Sequence, residues 1–346
     1  MDETALLQQA QAAARQGSGH TYTNPVVGAV IVRDGQVLAT GYHQHFGGPH
    51  AEINSLRHLP DPQLAEGATM VVTLEPCSHY GKTPPCAAKL IEVGIKRVII
   101  GQLDPNPVVA GRGKRMLEAA GIDVTVVNDP GDLNQAYNFF YQHKRPLVTL
   151  KMALTLDGKM NQMGQQRTII TGKIAYQDSQ RLRSEQQAIL VGERTLLVDN
   201  PQLTIRNQSL DYPPIRVAVV NDADQLPTQL HIWDDQAPTW ILSRQPSQRE
   251  WPANVRVITD SEWQPVTIVN FMAQQGVQSL LVEGGSTVQS RFLTAALVDR
   301  LVVYRAPIVL GNGLAAFNEY QGNPVAFELV QERQLGQDWR VDLRRK

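Results

Sequence analysis

Two cysteines are all that this chain of 346 residues contains. That scarcity excludes a small scaffold built on disulfides. The acidic start, Met1-Asp2-Glu3-Thr4, has neither the basic segment nor the apolar core of a secretory signal. A reducing, cytoplasmic compartment is therefore expected, in which Cys77 and Cys86 are free thiols or metal ligands. No apolar run approaches the roughly 20 residues of a membrane-spanning helix. Neither sign of charge is in excess, with 32 Lys and Arg against 33 Asp and Glu, so nothing electrostatic argues for nucleic acid or an anionic membrane as partner. A Gly-x-Gly-x-x-Gly fingerprint after a strand is also missing, so that motif supports no ordinary dinucleotide fold.

What is present is a soluble globular composition, 42% apolar and 19% charged, at a length that favours two domains. Residues 1–145 alternate between strands and helices. Val26–Val32 reads as a buried strand turning through Asp34-Gly35 into Val37–Tyr42, and further strands are expected at Met70–Leu74, Val98–Gly101 and Val124–Val127. Helices are expected from about residue 3, from His50, over Pro85–Val93, over Lys114–Ala120 and over Leu133–Lys144. Arg145-Pro146 marks a boundary, and residues 146–346 alternate again, beginning with a strand over Leu147–Leu154 and closing on a strand pair around Gly336. Both halves read as α/β.

The chemistry concentrates in four residues. His50, Cys77 and Cys86 offer three ligands suited to Zn²⁺, which leaves the fourth tetrahedral position to water and marks a catalytic rather than a structural site. Each falls where a strand gives way to a helix, and helix N-termini favour the thiolate. Glu52, two residues after the His, is placed to shuttle protons. A zinc-activated water adding to an amine-bearing ring carbon is the chemistry of the zinc deaminases, which carry His/Cys/Cys ligands and a non-ligating Glu. Their short Pro-Cys-x-x-Cys spacing is absent here, because eight residues separate Cys77 from Cys86. The intervening loop holds His79 and Lys82 and suits an anionic, phosphorylated substrate. Asn24 can present its amide to a heterocycle edge or a ribose. His43 and His45 read as loop or substrate-facing groups rather than ligands, and Glu75 as a solvated residue at a strand end.

Thr23–Val30, Gly48-Pro49-His50-Ala51-Glu52 and the run from Thr73 to Cys86 with its long loop resemble the deaminase half of the RibD family, bifunctional enzymes of riboflavin synthesis. The resemblance continues through Leu150–Lys159, through Val191-Gly192 to Arg206, and through Leu281–Ser286, so that it covers nearly the whole chain. It implies a cytidine-deaminase-like three-layer α/β/α domain followed by a dihydrofolate-reductase-like α/β domain that uses NADPH. It implies deamination of 2,5-diamino-6-(5-phosphoribosylamino)pyrimidin-4(3H)-one at zinc, with Glu52 as proton shuttle. Reduction of the ribosyl group of 5-amino-6-(5-phosphoribosylamino)uracil to ribityl would follow. A homo-oligomer assembled through the reductase domain is expected on the same ground.

By position in the matching motifs, Ala153, Ile169, Thr195, Asp199, Gly285 and Ser286 are expected at the cofactor. Lys151, Arg167, Arg183, Leu203, Arg206 and Glu283 are expected at the substrate, joining Asn24, His79 and Lys82 of the first half. The glycine turn Glu283-Gly284-Gly285-Ser286 also reads, on its own residues, as a place where backbone N–H groups approach a phosphate. Two departures are visible, the milder being Asn200 where the family commonly has an acid. The family often has a Ser and a Trp shortly before its Ile-Thr pair, where this chain has Arg167 and Ile169 ahead of Ile170-Thr171. The missing aromatic removes a stacking surface. An active deaminase joined to an impaired reductase is the alternative this raises.

Overall fold

The computed structural model describes residues 2–79, 84–164 and 168–346. The chain divides into two compact units, Met1–Lys144 and Arg145–Lys346. No helix among the described residues is long and apolar enough to cross a membrane.

The first unit runs α1 (Glu3–Ala14), β1 (Gly28–Arg33), β2 (Gln36–Tyr42), α2 (Ala51–Arg57), β3 (Thr69–Val72), α3 (Cys86–Glu92), β4 (Arg97–Ile100), α4 (Arg112–Ala119), β5 (Asp123–Val126) and α5 (Gln135–His143). Its sheet has the order β2-β1-β3-β4-β5. Strands β3, β4 and β5 are parallel. The β1–β2 hairpin turns on Asp34 and Gly35, both with positive φ, as a two-residue Asp-Gly connection requires. Alternation along β1 sends Ala29 and Ile31 into a core with α2, α3 and α4, and Val30 and Val32 into a second core with Leu7 and Ala10 of α1. The sheet is therefore covered on both faces. At Gly41 a Cβ would lie 2.2 Å from the Ser55 backbone nitrogen, so only glycine lets α2, which carries Glu52, sit this close to β2.

The second unit runs β6 (Leu147–Leu154), β7 (Lys159–Gln162), α6 (Lys173–Ser184), β8 (Ala188–Gly192), α7 (Glu193–Asp199), β9 (Ile215–Val220), β10 (Thr239–Ser243), β11 (Val255–Thr259), α8 (Pro265–Gln274), β12 (Ser279–Val282), α9 (Ser286–Thr294), β13 (Arg300–Arg305), β14 (Gly313–Ala315), β15 (Phe327–Leu335) and β16 (Asp338–Arg345). The nine-stranded sheet has the order β11-β10-β9-β8-β12-β6-β13-β16-β15. It is parallel from β11 to β13, and the last two strands are antiparallel. Leu150, Leu190, Val217 and Val282 pack with residues of α8 and α9 on one face. Ile189, Val191, Ala218, Leu281, Val302 and Tyr304 pack with residues of α6 and α7 on the other. Three elements were not expected from the sequence: α7, and the short strands β7 and β14, which pair with each other.

Arg216 lies fully buried within β9. Its guanidinium donates to Thr239 Oγ1, Asp234 Oδ1 and the carbonyls of Asp234 and Ala237. Those contacts tie β9 to the loop that leads into β10. Arg216→Ala strands buried acceptors, and it is expected to cost about 3 kcal/mol. The shift in urea midpoint measures this, and a loss below about 1 kcal/mol would show that the clamp is dispensable.

Candidate active sites

The first site gathers at helix starts beside parallel strand ends. His50 is the N-cap of α2, in extended conformation, and the Asn54 side chain fixes the approach by donating to Tyr42 O and Pro49 O. Cys86 is the first residue of α3, and its N–H donates to Cys77 Sγ at 3.2 Å. His50 Nδ1 lies 3.5 Å from Cys77 Sγ and 3.3 Å from Cys86 Sγ. A tetrahedral zinc with bonds of about 2.3 Å to sulfur and about 2.0 Å to nitrogen has a nitrogen–sulfur edge of about 3.5 Å. The donor set therefore fits the ion in spacing as well as in type. Both cysteines are free thiols. Among the described residues no fourth His, Cys, Asp or Glu joins the cluster.

Electrostatics follow from this crowding. Contact with Cys77 raises His50 to about 9. Its contact with Cys86, and then with His50, lowers the Cys77 thiol to about 4. Cys86 moves up, through its contact with Cys77 and through burial. Glu52, in the first turn of α2, is 3% exposed. Burial pushes its carboxyl up to about 7, against the pull of His50. A group titrating near neutrality can accept and return a proton without a large barrier in either direction.

Asn24 donates its amide to His43 Nε2 at 3.2 Å, and His43 Nδ1 faces Pro49 O at 3.0 Å. His43 is therefore the Nδ1–H tautomer, kept neutral by burial, which lowers its pKa, and its ring stands edge-on to His50 at 5.5 Å. Asn24 is thus brought to the His50 loop through His43. His79 is exposed, and Lys82 lies outside the described residues. Glu75 departs from the solvated strand end expected of it. It is 4% exposed and accepts N–H bonds from Asp104, Gly111 and Lys114, so that it caps α4. At Gly113 in α4 a Cβ would come within 2.0 Å of Pro76 O. Glu75 and Gly113 together hold α4 against the Pro76-Cys77 turn, and only the Gly111-Arg112-Gly113 spacing hints at this in the sequence.

The second site lies along the carboxyl ends of the parallel strands in the other unit, where ligands of such sheets bind. Gly285 caps α9 without a side-chain hydrogen bond, and its own N–H donates to Thr195 Oγ1 at 3.2 Å. At Gly284 a Cβ would lie 2.8 Å from Val288 Cβ. The turn is therefore a tight backbone cradle at a helix N-terminus, suited to the phosphates of a dinucleotide. Ser286 contributes differently from expectation: it is buried, and its Oγ accepts from Asn318 N, so its backbone is the part available to a ligand. Asp199 ends α7. Ala153 sits half-buried on β6, opposite Tyr304. Ile169 is 80% exposed, and Arg167 lies outside the described residues.

Among the residues expected at the substrate, Arg183 does not present an empty fork. Its Nε and Nη2 donate to the two carboxylate oxygens of Glu283 at 2.9 and 2.6 Å. Both side chains are largely buried. Arg206 is exposed, with one guanidinium nitrogen near Tyr176 OH. Leu203 has a left-handed backbone and a buried side chain, so a contact through its main chain is the one open to it. Gln289 was missed by sequence reasoning. Fully buried, it donates to Lys151 O and Gly284 O and so joins β6 to the glycine turn.

Zinc must displace protons from His50 and Cys86, whereas Cys77 is already ionised at pH 7. Loading the metal-free protein at pH 7 is expected to release roughly two protons per ion, and affinity is expected to fall as pH falls. Titration calorimetry in buffers of different ionisation enthalpy counts them, and zero release would contradict these protonation states.

Comparison with known proteins follows the same division. Residues 1–102 match the cytidine and deoxycytidylate deaminase zinc-binding region, and residues 146–341 match the RibD C-terminal domain. The Escherichia coli K12 riboflavin biosynthesis protein RibD is 38% identical over 90% of this chain and 89% of its own length. That of Bacillus amyloliquefaciens is 40% identical over 87% and 84%. Among solved structures, Acinetobacter baumannii RibD superposes with a TM-score of 0.91 at 33% identity, over 99% of both chains. The Thermotoga maritima diaminohydroxyphosphoribosylaminopyrimidine deaminase/5-amino-6-(5-phosphoribosylamino)uracil reductase gives the same TM-score, identity and coverage. The chain belongs to the RibD family of riboflavin biosynthesis proteins, two α/β domains that pair a zinc-region deaminase with a reductase.

Proposed function

We propose that the first unit removes an amine as ammonia from 2,5-diamino-6-(5-phosphoribosylamino)pyrimidin-4(3H)-one. The second unit then reduces the ribosyl group of 5-amino-6-(5-phosphoribosylamino)uracil to ribityl with NADPH. The observation that carries the first half is the three-ligand cluster with buried Glu52 beside it. Held by His50, Cys77 and Cys86, zinc would supply a Lewis acid that makes water a nucleophile near neutral pH. Glu52 takes the proton of that water on its carboxylate and returns protons to the ring nitrogen and the departing amine. Its freedom to do so rests on burial, which lifts its carboxyl to about 7 against the pull of His50. Asn24, oriented by His43, is positioned for a polar edge of the ring or its ribose.

In the second unit a bound nicotinamide would supply hydride to the carbon of the ring-opened ribosyl imine. The protein's own share is orientation and charge placement. The Gly284-Gly285 cradle and Thr195 hold the cofactor. Arg206 takes the substrate phosphate, because it is exposed whereas the fork of Arg183 is filled by Glu283. Arg183 instead fixes the Glu283 carboxylate, and Lys151 meets the ribose or phosphate. The free cysteines suit a cytoplasmic setting, and assembly as a homo-oligomer through the second unit is part of the same reading.

Two expected outcomes test this. Glu52→Gln should retain zinc by elemental analysis and lose roughly 10³-fold in ammonia release; unchanged turnover would refute the shuttle. Arg206→Ala should raise KM for the phosphorylated substrate by about 10-fold, corresponding to one charge-assisted contact, with KM for NADPH unchanged. A rise confined to NADPH would move Arg206 to the cofactor.

A further inference from the structure

Lys151, which the proposed function places at the substrate, sits on β6 beside Tyr304 of β13. In the parallel register Lys151 lies opposite Val302, and Ala153 opposite Tyr304. Alternation then sends Lys151, Ala153, Val302 and Tyr304 to the same face of the sheet. On that face the Lys151 ammonium stands over the Tyr304 ring, 5.6 Å from its centroid. The neighbouring strand β16 brings Arg340 opposite Tyr304, with its guanidinium carbon 5.8 Å from the same centroid.

The ring itself is immobilised. Tyr304 is 1% exposed, and its hydroxyl donates to Asp178 Oδ2 at 2.8 Å. Asp178, on α6, also accepts from Arg340 at 2.7 Å, and Arg340 makes a two-pronged contact with Asp342. At its other end, the main chain of Lys151 is held by the Gln289 amide. The ring is therefore a fixed, electron-rich surface beneath a cation whose backbone is also fixed.

We infer that Tyr304 is a positioning residue for the reductase: its ring, braced by Asp178 and Arg340, holds the Lys151 ammonium where the substrate meets it. The inference rests on the reading of Lys151 as a substrate residue. Phenylalanine keeps the ring and removes only the hydroxyl brace, whereas leucine removes the surface on which the ammonium rests.

The test combines spectroscopy with a double-mutant cycle on the full-length enzyme. In the unsubstituted protein the Lys151 ε-methylene protons, assigned by their loss in Lys151→Ala, should be shifted upfield by the ring current of Tyr304 and should return to ordinary positions in Tyr304→Leu. Reductase kcat/KM for the phosphorylated substrate should fall roughly 10-fold in Tyr304→Leu, the size expected of one partly desolvated cation–π contact. It should fall less than about 3-fold in Tyr304→Phe. In a Lys151→Ala background, Tyr304→Leu should cost less than about 2-fold further. An equal loss in both backgrounds would reduce Tyr304 to a packing role and overturn the inference. So would ε-methylene protons at ordinary positions in the unsubstituted enzyme, a measurement that stands even if Tyr304→Leu does not fold. If Lys151→Ala alone left reductase turnover unchanged while the upfield shift was present, the fault would lie with the assignment of Lys151 to the substrate.

Discussion

Parallel register puts the carboxyl ends of neighbouring strands side by side, and both sites are consequences of it. Val72 of β3 pairs with Ile100 of β4, and Ile100 with Val126 of β5. In the second unit Leu190 of β8 pairs with Val282 of β12, and Gly192 with Val219 of β9. Strands β3, β4, β8 and β12 each hand over to a helix at that edge, so helix N-termini with free N–H groups collect there. The Cys86 N–H on Cys77 Sγ and the uncapped turn at Gly285 are two uses of the same surplus of donors. One stabilises a thiolate for a metal, the other offers backbone to a phosphate.

The zinc ligands and Glu52 were legible in the sequence because their chemistry is written in residue type and short spacing. His-Ala-Glu and the two Pro-Cys pairs announce a deaminase without any knowledge of what faces them. The main alternation of strands and helices was equally legible, since each long element buries one stripe or face. Glu75 was misread because its partners lie 29 to 39 residues away, and nothing local distinguishes a carboxylate capping a distant helix from one in water. Strand β14 escaped for another reason. With only Gly313-Leu314-Ala315 it is too short to show alternation, and it exists because β7 pairs with it.

The reductase motifs raise the same difficulty in sharper form. Arg183 and Glu283 were both expected at the substrate from the matching motifs, yet their separation of 100 positions concealed that they bind each other. A pair this buried is costly to break, because either partner alone would be an uncompensated charge. Its value to a site is geometric: the two-pronged contact fixes the plane of the carboxylate. Exposure rather than residue type distinguishes Arg206 from Arg183, and on the proposed reading it is the exposed guanidinium of Arg206 that takes the phosphate.

The two sites treat charge in opposite ways, and their chemistry explains the difference. Hydrolytic deamination moves protons, so its carboxylate has to titrate near the working pH. Burial outweighs the pull of His50 and brings Glu52 to about 7. Hydride transfer needs the substrate aligned, and in that unit Asp178 is pinned as an anion. Burial alone would raise Asp178, but Arg340, Tyr304 and Arg333 hold it below the ordinary carboxylate range. The folded protein therefore keeps Asp178 ionised well into acid. The stability it contributes is present above the ordinary Asp pKa and is lost only as pH falls through the lower folded value. A mobile proton at Glu52 and a fixed charge at Asp178 both begin with a carboxyl taken out of water, and the hydrogen bonds that Arg340 and Tyr304 give to Asp178 separate the two results.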